Sequence, residues 1–105
     1  KRDIMSTEFE TIQKTDNRVI IEPPGRWKVV FFNDDSTPME YVIEVLMSIF
    51  GHDVDAATEI TMSIHQAGRG IAGVFVYEIA EQKASETLAD SRSRGYSLQV
   101  ELEKE

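Results

Sequence analysis

The sequence predicts an α+β domain: a three-stranded antiparallel sheet packed against three helices in the order β-α-α-β-α-β, behind a flexible N-terminal tail. Two observations predict it. Short runs rich in β-branched and aromatic residues alternate with longer stretches whose apolar residues recur every three or four positions. Glycines close those longer stretches, at Gly51, Gly68 and Gly95, where a helix C-terminus takes a left-handed residue. Strands and helices of this size reach stability by layering the helices on one small sheet.

Residues 1–25 are polar, mixed in charge and without a sustained period, and they end in Pro23-Pro24-Gly25. They read as a flexible extension with a helix-incompatible boundary. Met5 is a candidate natural start, with residues 1–4 non-native ahead of it. The core domain is expected over residues 26–105. Trp27-Lys28-Val29-Val30-Phe31-Phe32 reads as a strand buried on both faces near its end. Asn33, Asp34, Asp35 and Ser36 follow, and Thr37-Pro38-Met39-Glu40 reads as a capping box with Thr37 at the N-cap and Pro38 at the first helical position.

The first helix is expected from Pro38 to about Phe50, with Met39, Val42, Ile43, Leu46, Met47 and Phe50 on its inner stripe. The second starts with Asp53 as N-cap and ends near Gln66, its stripe being Ala57, Ile60, Thr61 and Ile64. Residues 70–77 form a strand whose glycines, Gly70 and Gly73, predict a bulge or a close backbone approach. A third helix, residues 78–92, turns Ile79, Ala80, Lys83, Ala84, Thr87 and Leu88 inward. The alternating segment from Tyr96 to Leu102 makes a half-buried strand.

The chain has 105 residues, 41% hydrophobic content, a formal net charge of −8 and a sequence pI near 4.7. From Arg26 onward, 7 Lys and Arg stand against 14 Asp and Glu, a net of −7. Such an acidic surface argues against nucleic-acid binding, which needs clustered cations against phosphate, and suits a cationic partner. No apolar run approaches the roughly 20 residues of a membrane span. With no cysteine there is no disulfide framework and no thiolate metal site, which fits a reducing cytoplasm.

Asn33, Asp34 and Asp35 sit at a strand-to-helix corner that the helix cap does not explain, and there a small cation could be gripped. Read singly, each candidate has an ordinary reading. Asp35 suits a turn or a helix dipole, and His65 suits a helix C-terminus. Glu78, Glu81 and Lys83 suit a solvated face. Metal or hydrolytic chemistry on Asp34, Asp35 and His65 is disfavoured, because sequence-adjacent carboxylates diverge and His52, the only other histidine, lies in a turn.

Taken together, three segments resemble the ClpS family: Asn33-Asp34-Asp35-Ser36-Thr37-Pro38-Met39-Glu40-Tyr41-Val42, Ile64-His65-Gln66-Ala67-Gly68, and Gly73-Val74-Phe75-Val76-Tyr77-Glu78-Ile79-Ala80-Glu81-Gln82-Lys83. The likeness covers about residues 26–104. ClpS proteins are bacterial adaptors of the N-end rule that carry N-degron substrates to the ClpA-type AAA+ unfoldase of the ClpAP protease. The resemblance implies a cytoplasmic adaptor, not an enzyme, with no cofactor or metal and no nucleic-acid or membrane partner. It implies that Asn33, Asp34 and His65 hold the α-ammonium and first peptide unit of a protein starting with Leu, Phe, Tyr or Trp. Thr37, Met39, Val42, Thr61, Ile64 and Leu98 then wall the apolar pocket, with Asp35 at its rim and Met39 as a gate against β-branched residues. Glu78, Glu81 and Lys83 are implied to face the N-terminal domain of the unfoldase, and the tail to engage it during delivery. Two positions depart from the family pattern: Thr61 stands where a methionine is common, and Ser36 where an aromatic is frequent. The first bears on pocket depth and the second on its rim. The competing interpretation is a structural interaction module of ribosomal-stalk-like α/β shape without a ligand pocket, which has no reason to keep Asn33, Asp34 and His65 together.

Overall fold

A computed structural model of the protein describes residues 25–105. Residues 1–24, which hold nearly all of the expected extension, lie outside the described residues. The elements are β1 (Arg26–Phe32), α1 (Met39–Ser48), α2 (Val54–Ala67), β2 (Arg69–Val76), α3 (Tyr77–Ser93) and β3 (Gln99–Lys104). The order and the three-helix, three-strand antiparallel fold are those the sequence predicts. In the sheet β1 lies in the middle, in the order β2-β1-β3, antiparallel to both neighbours. As expected of a central strand, Val29, Val30 and Phe31 are all fully buried.

Register decides where the site falls. Phe32, the last residue of β1, pairs with Arg69 at the start of β2 and with Gln99 at the start of β3. The backbone N–H of Asn33 then donates to the Gly68 carbonyl at 3.0 Å. The corner after β1 therefore sits beside both the C-terminus of α2 and the residues that lead into β3.

Both expectations for the β2 glycines hold. Opposite Val29 and Val30 the register skips Ala72, a bulge that takes this residue out of the ladder. The Ala72 carbonyl instead accepts from His52 Nε2, which gives that histidine a structural partner. At Gly70 a Cβ would stand 2.7 Å from Ile64 Cγ1 and 3.2 Å from the Ile60 carbonyl oxygen, so α2 packs directly on the bare backbone.

The helix faces needed correction in places. On α1 the buried residues are Tyr41, Val42, Val45 and Leu46, while Met39 and Met47 are exposed. The stripe is rotated because Tyr41 is drawn inward. Its hydroxyl donates to Asp90 Oδ2 on α3, and Arg94 covers the ring 5.3 Å from the centroid. On α3 the inner residues are Ala80, Ala84, Thr87 and Ser91; Ile79 is exposed. Lys83 is half-buried, its Nζ donating to the Ile49 carbonyl at 2.8 Å and lying over the rings of Phe50 and Phe75.

Gly70 has an ordinary backbone, so a side chain there meets a packing barrier rather than a conformational one. Gly70→Ala should lower stability by about 1–3 kcal/mol, the usual cost of overfilling a packed contact. Urea unfolding would measure it, and an unchanged midpoint would show that α2 can move away freely.

Candidate functional site

The corner after β1 folds around Asp34. Its backbone carbonyl accepts from the Thr37 N–H at 3.1 Å, closing a turn, and its Oδ2 accepts the Thr37 hydroxyl at 2.6 Å. The expected capping box is therefore not formed. Pro38 is the N-cap, without a side-chain cap bond, and α1 begins at Met39. Thr37 gives its hydroxyl to a charged acceptor, a stronger partner than the neutral exchange of a cap. By contrast, Asp53 caps α2 as predicted, accepting from the Ala56 N–H at 2.8 Å, and Gly68 ends that helix at φ 89°.

Beside Asp34 lies a narrow cavity of about 20 Å³. From the corner come Phe32, Asn33, Asp34 and Thr37; from α1, Met39 and Val42; from α2, Thr61, Ile64 and His65; from the approach to β3, Leu98. The structure thus brings together every predicted pocket residue except Asp35, which is exposed and does not line the cavity. Phe32 is the lining residue that sequence reasoning missed. Its position immediately before Asn33, at the end of a strand covered on both sides, was the available signal.

The lining is divided by chemistry. Val42, Ile64, Leu98 and Thr61 are buried and form the closed end. The Thr61 hydroxyl is turned back to the Ala57 carbonyl at 2.8 Å, so its polarity is spent within α2. Met39, 37% exposed, lies toward solvent. Asn33 and His65 are exposed and Asp34 is partly so. Amide oxygen, carboxylate and an imidazole nitrogen are all acceptors for a protonated amine. Two larger hollows are open grooves without such a set. One, about 380 Å³, lies between α2 and β2 at Glu59, Ile60 and Arg69, the latter tied to Glu103 at 2.6 Å. The other, about 480 Å³, runs along α3 and β3.

Of the residues expected on a partner surface, Glu78 and Glu81 are exposed on the first turns of α3, beside exposed Val76 and Ile79. Lys83 stands half-buried behind them, engaged with Ile49. Among the described residues no three His, Cys, Asp or Glu are arranged to hold a metal ion, and no helix is long and apolar enough to cross a membrane.

The sequence profile described as "ATP-dependent Clp protease adaptor protein ClpS" matches residues 22–101. The chain belongs to the ClpS family. It is 39% identical over 97 residues to the ATP-dependent Clp protease adapter protein ClpS of Cronobacter sakazakii, a span of 92% of each chain. The Escherichia coli O127:H6 protein of the same name matches to the same extent. Among solved structures, Agrobacterium tumefaciens ClpS2 bound to L-phenylalaninamide has a TM-score of 0.75 at 34% identity, covering 79% of this chain and 100% of that one. As a ClpS protein the chain is an adaptor of the ATP-dependent Clp protease, and the competing interpretation of a pocketless structural module falls away.

The Asp34 carboxyl is held below its ordinary value of 3.8, first by the Thr37 hydroxyl, then by Ser36, with Ser97 and the Ser36 backbone adding to it and partial burial opposing. A carboxylate with a depressed folded-state pKa stabilises the fold above its ordinary pKa, and that contribution disappears as pH falls through the depressed value. Asp34→Asn should therefore melt below wild type at pH 7, and the two midpoints should converge as the pH is taken from about 4 toward 2. A gap that stays constant over that range would mean that the hydroxyls do not favour the charged form.

Proposed function

We propose that this chain captures proteins by their first residue when it is Leu, Phe, Tyr or Trp, and delivers them to a ClpA-type AAA+ unfoldase for degradation. The observation that carries the reading is the shared cavity: the acceptors Asn33, Asp34 and His65 stand at the mouth of a slot whose closed end is Val42, Thr61, Ile64 and Leu98. A free N-terminus offers three donors and a positive charge to the acceptors, and its first side chain enters the slot. Burying that side chain contributes about 1.5–3 kcal/mol. At about 20 Å³ the slot is narrow, and a movable wall would ease the entry of a large side chain. Met39 is the wall able to do so, being unbranched and partly in solvent. A β-branched first residue brings its extra methyl to that gate, which disfavours Ile and Val.

Support from a related protein comes from the ligand of the Agrobacterium structure, whose phenylalanine carries the free amine and aromatic side chain that this site would grip. Delivery is assigned to the other end of the molecule. Glu78 and Glu81, with the exposed Val76 and Ile79, offer an acidic and apolar patch to the N-terminal domain of the unfoldase. Lys83 belongs to that patch, although in the free chain its ammonium is already engaged by Ile49.

Fluorescence-anisotropy titration with peptides starting in Phe, Leu, Tyr, Trp, Ile and N-acetyl-Phe tests the reading. The first four should bind, Ile weakly, and the acetylated peptide at least about a hundredfold more weakly than Phe, since it leaves the Asp34 carboxylate facing an amide without charge. Binding should also fade above about pH 8, where the α-amine loses its proton. Equal affinity for Phe and N-acetyl-Phe would overturn the assignment.

A further inference from the structure

Three side-chain hydroxyls reach the Asp34 carboxylate, and all reach the same oxygen. Oδ2 accepts from Thr37 Oγ1 at 2.6 Å, Ser36 Oγ at 2.7 Å and Ser97 Oγ at 3.1 Å. Ser36 Oγ and Ser97 Oγ are themselves 2.8 Å apart. A hydroxyl has one proton to donate, so with Ser36 donating to Oδ2, Ser97 donates either to the same oxygen or to Ser36. In the first case each serine bonds the carboxylate directly; in the second Ser97 acts on it through Ser36. Thr37 and Ser36 belong to the corner that carries Asp34. Ser97 comes from the loop between α3 and β3, next to Leu98 in the wall of the slot.

Taking Asp34 as the carboxylate that meets the substrate's ammonium, as proposed above, we infer that Ser36 and Ser97 are positioning residues for that recognition: by holding Oδ2 they set the orientation of the carboxylate, and they fasten the loop carrying Leu98 to it. An aspartate side chain has a broad terminal torsion. Fixing it before the ligand arrives removes an ordering cost from binding. The loop is already held by the Tyr96 N–H on the Ser91 carbonyl at 2.9 Å and by buried Leu98, and the exposed Ser97 between them adds its contact with the carboxylate. The clamp therefore couples the two halves of the site, charged corner and apolar wall, through one oxygen.

The titratable groups around Asp34 are few. Asp35 and Glu40 lie on its own corner and first helical turn, both exposed, and His65 faces the cavity from α2. The α3–β3 loop brings Leu98 to the lining and Ser97 to the carboxylate, neither of them charged.

The test uses the full chain with Ser36→Ala, Ser97→Ala, the double variant and Ser97→Thr, a peptide starting with Phe, and a melting midpoint for each. Each alanine variant should weaken binding about three- to tenfold, the size of one hydrogen bond. The double variant should lose at least as much as either single one. Ser97→Thr, which keeps the hydroxyl, should stay within about twofold of wild type. The acid limb of the binding profile should move to higher pH in the alanine variants, and the Asp34 carboxyl-carbon NMR titration of the free protein should move with it. Unchanged affinity in both alanine variants overturns the inference. So does weaker binding with both titrations unmoved, which is the signature of a loop tether that does not act on Asp34. If wild type itself binds no Phe-starting peptide, the functional reading falls and takes this one with it; normal wild-type binding with unshifted titrations removes the serines' role alone.

Discussion

One carboxylate oxygen, Asp34 Oδ2, joins three parts of the chain: the end of β1, the entry to α1 through Thr37, and the loop before β3 through Ser97. The geometry of the corner follows from it. A charged acceptor with hydroxyl donors outweighs the neutral exchange of a helix cap, so Thr37 turns to Asp34 and Pro38 starts the helix without side-chain help. The corner thereby keeps a compact turn, with the N–H of Thr37 on the carbonyl of Asp34 and the N–H of Asn33 on the carbonyl of Gly68. Two consecutive residues, Asn33 and Asp34, are held from opposite sides, the first by the end of α2 and the second by its own turn.

The sheet places this corner where it can be used. Because β1 is central, the single end of the strand that carries Asn33 is flanked at once by the start of β2 and the start of β3. α2, which carries Ile64 and His65 to the cavity, packs against the bare backbone of Gly70. At the other side of the molecule, Lys83 spans from α3 to the carbonyl of Ile49 at the end of α1, over the rings of Phe50 and Phe75. A partly buried ammonium with a carbonyl acceptor and two aromatic faces is well matched. That anchorage keeps α1 and α3 in fixed relation while their outer faces stay open.

Much of this was legible in the sequence, and the omissions have physical reasons. Element order and type followed from periodicity and from glycines that end helices, and the Asp53 cap and Gly68 terminus appeared where local chemistry put them. The Thr37 cap did not, because a local motif cannot see a carboxylate three residues upstream competing for the same hydroxyl. Tyr41 was missed as an inner residue because its burial depends on Asp90 and Arg94, some fifty positions away. The pocket set was read almost whole from resemblance. Ser97 was not, since its part in the corner depends on a contact across 63 positions that no pattern within the chain encodes.

The division of the cavity into acceptors and an oily slot has a consequence for selectivity on the proposed reading. Every protein chain that begins with an unblocked residue presents an ammonium, so the acceptors alone would bind indiscriminately. Leucine and aromatic side chains abound in every unfolded chain, so the slot alone would bind internal segments. Only the first residue of a chain can present both at once. Side-chain burial of about 1.5–3 kcal/mol corresponds to roughly ten- to a hundredfold in affinity, too little to select by itself. Leaving the Asp34 corner without a cationic partner adds a penalty to every internal or acetylated competitor. Selection therefore depends on how rigidly the two halves are held to each other, and this is the reason the contacts on Oδ2 matter more to specificity than their number suggests.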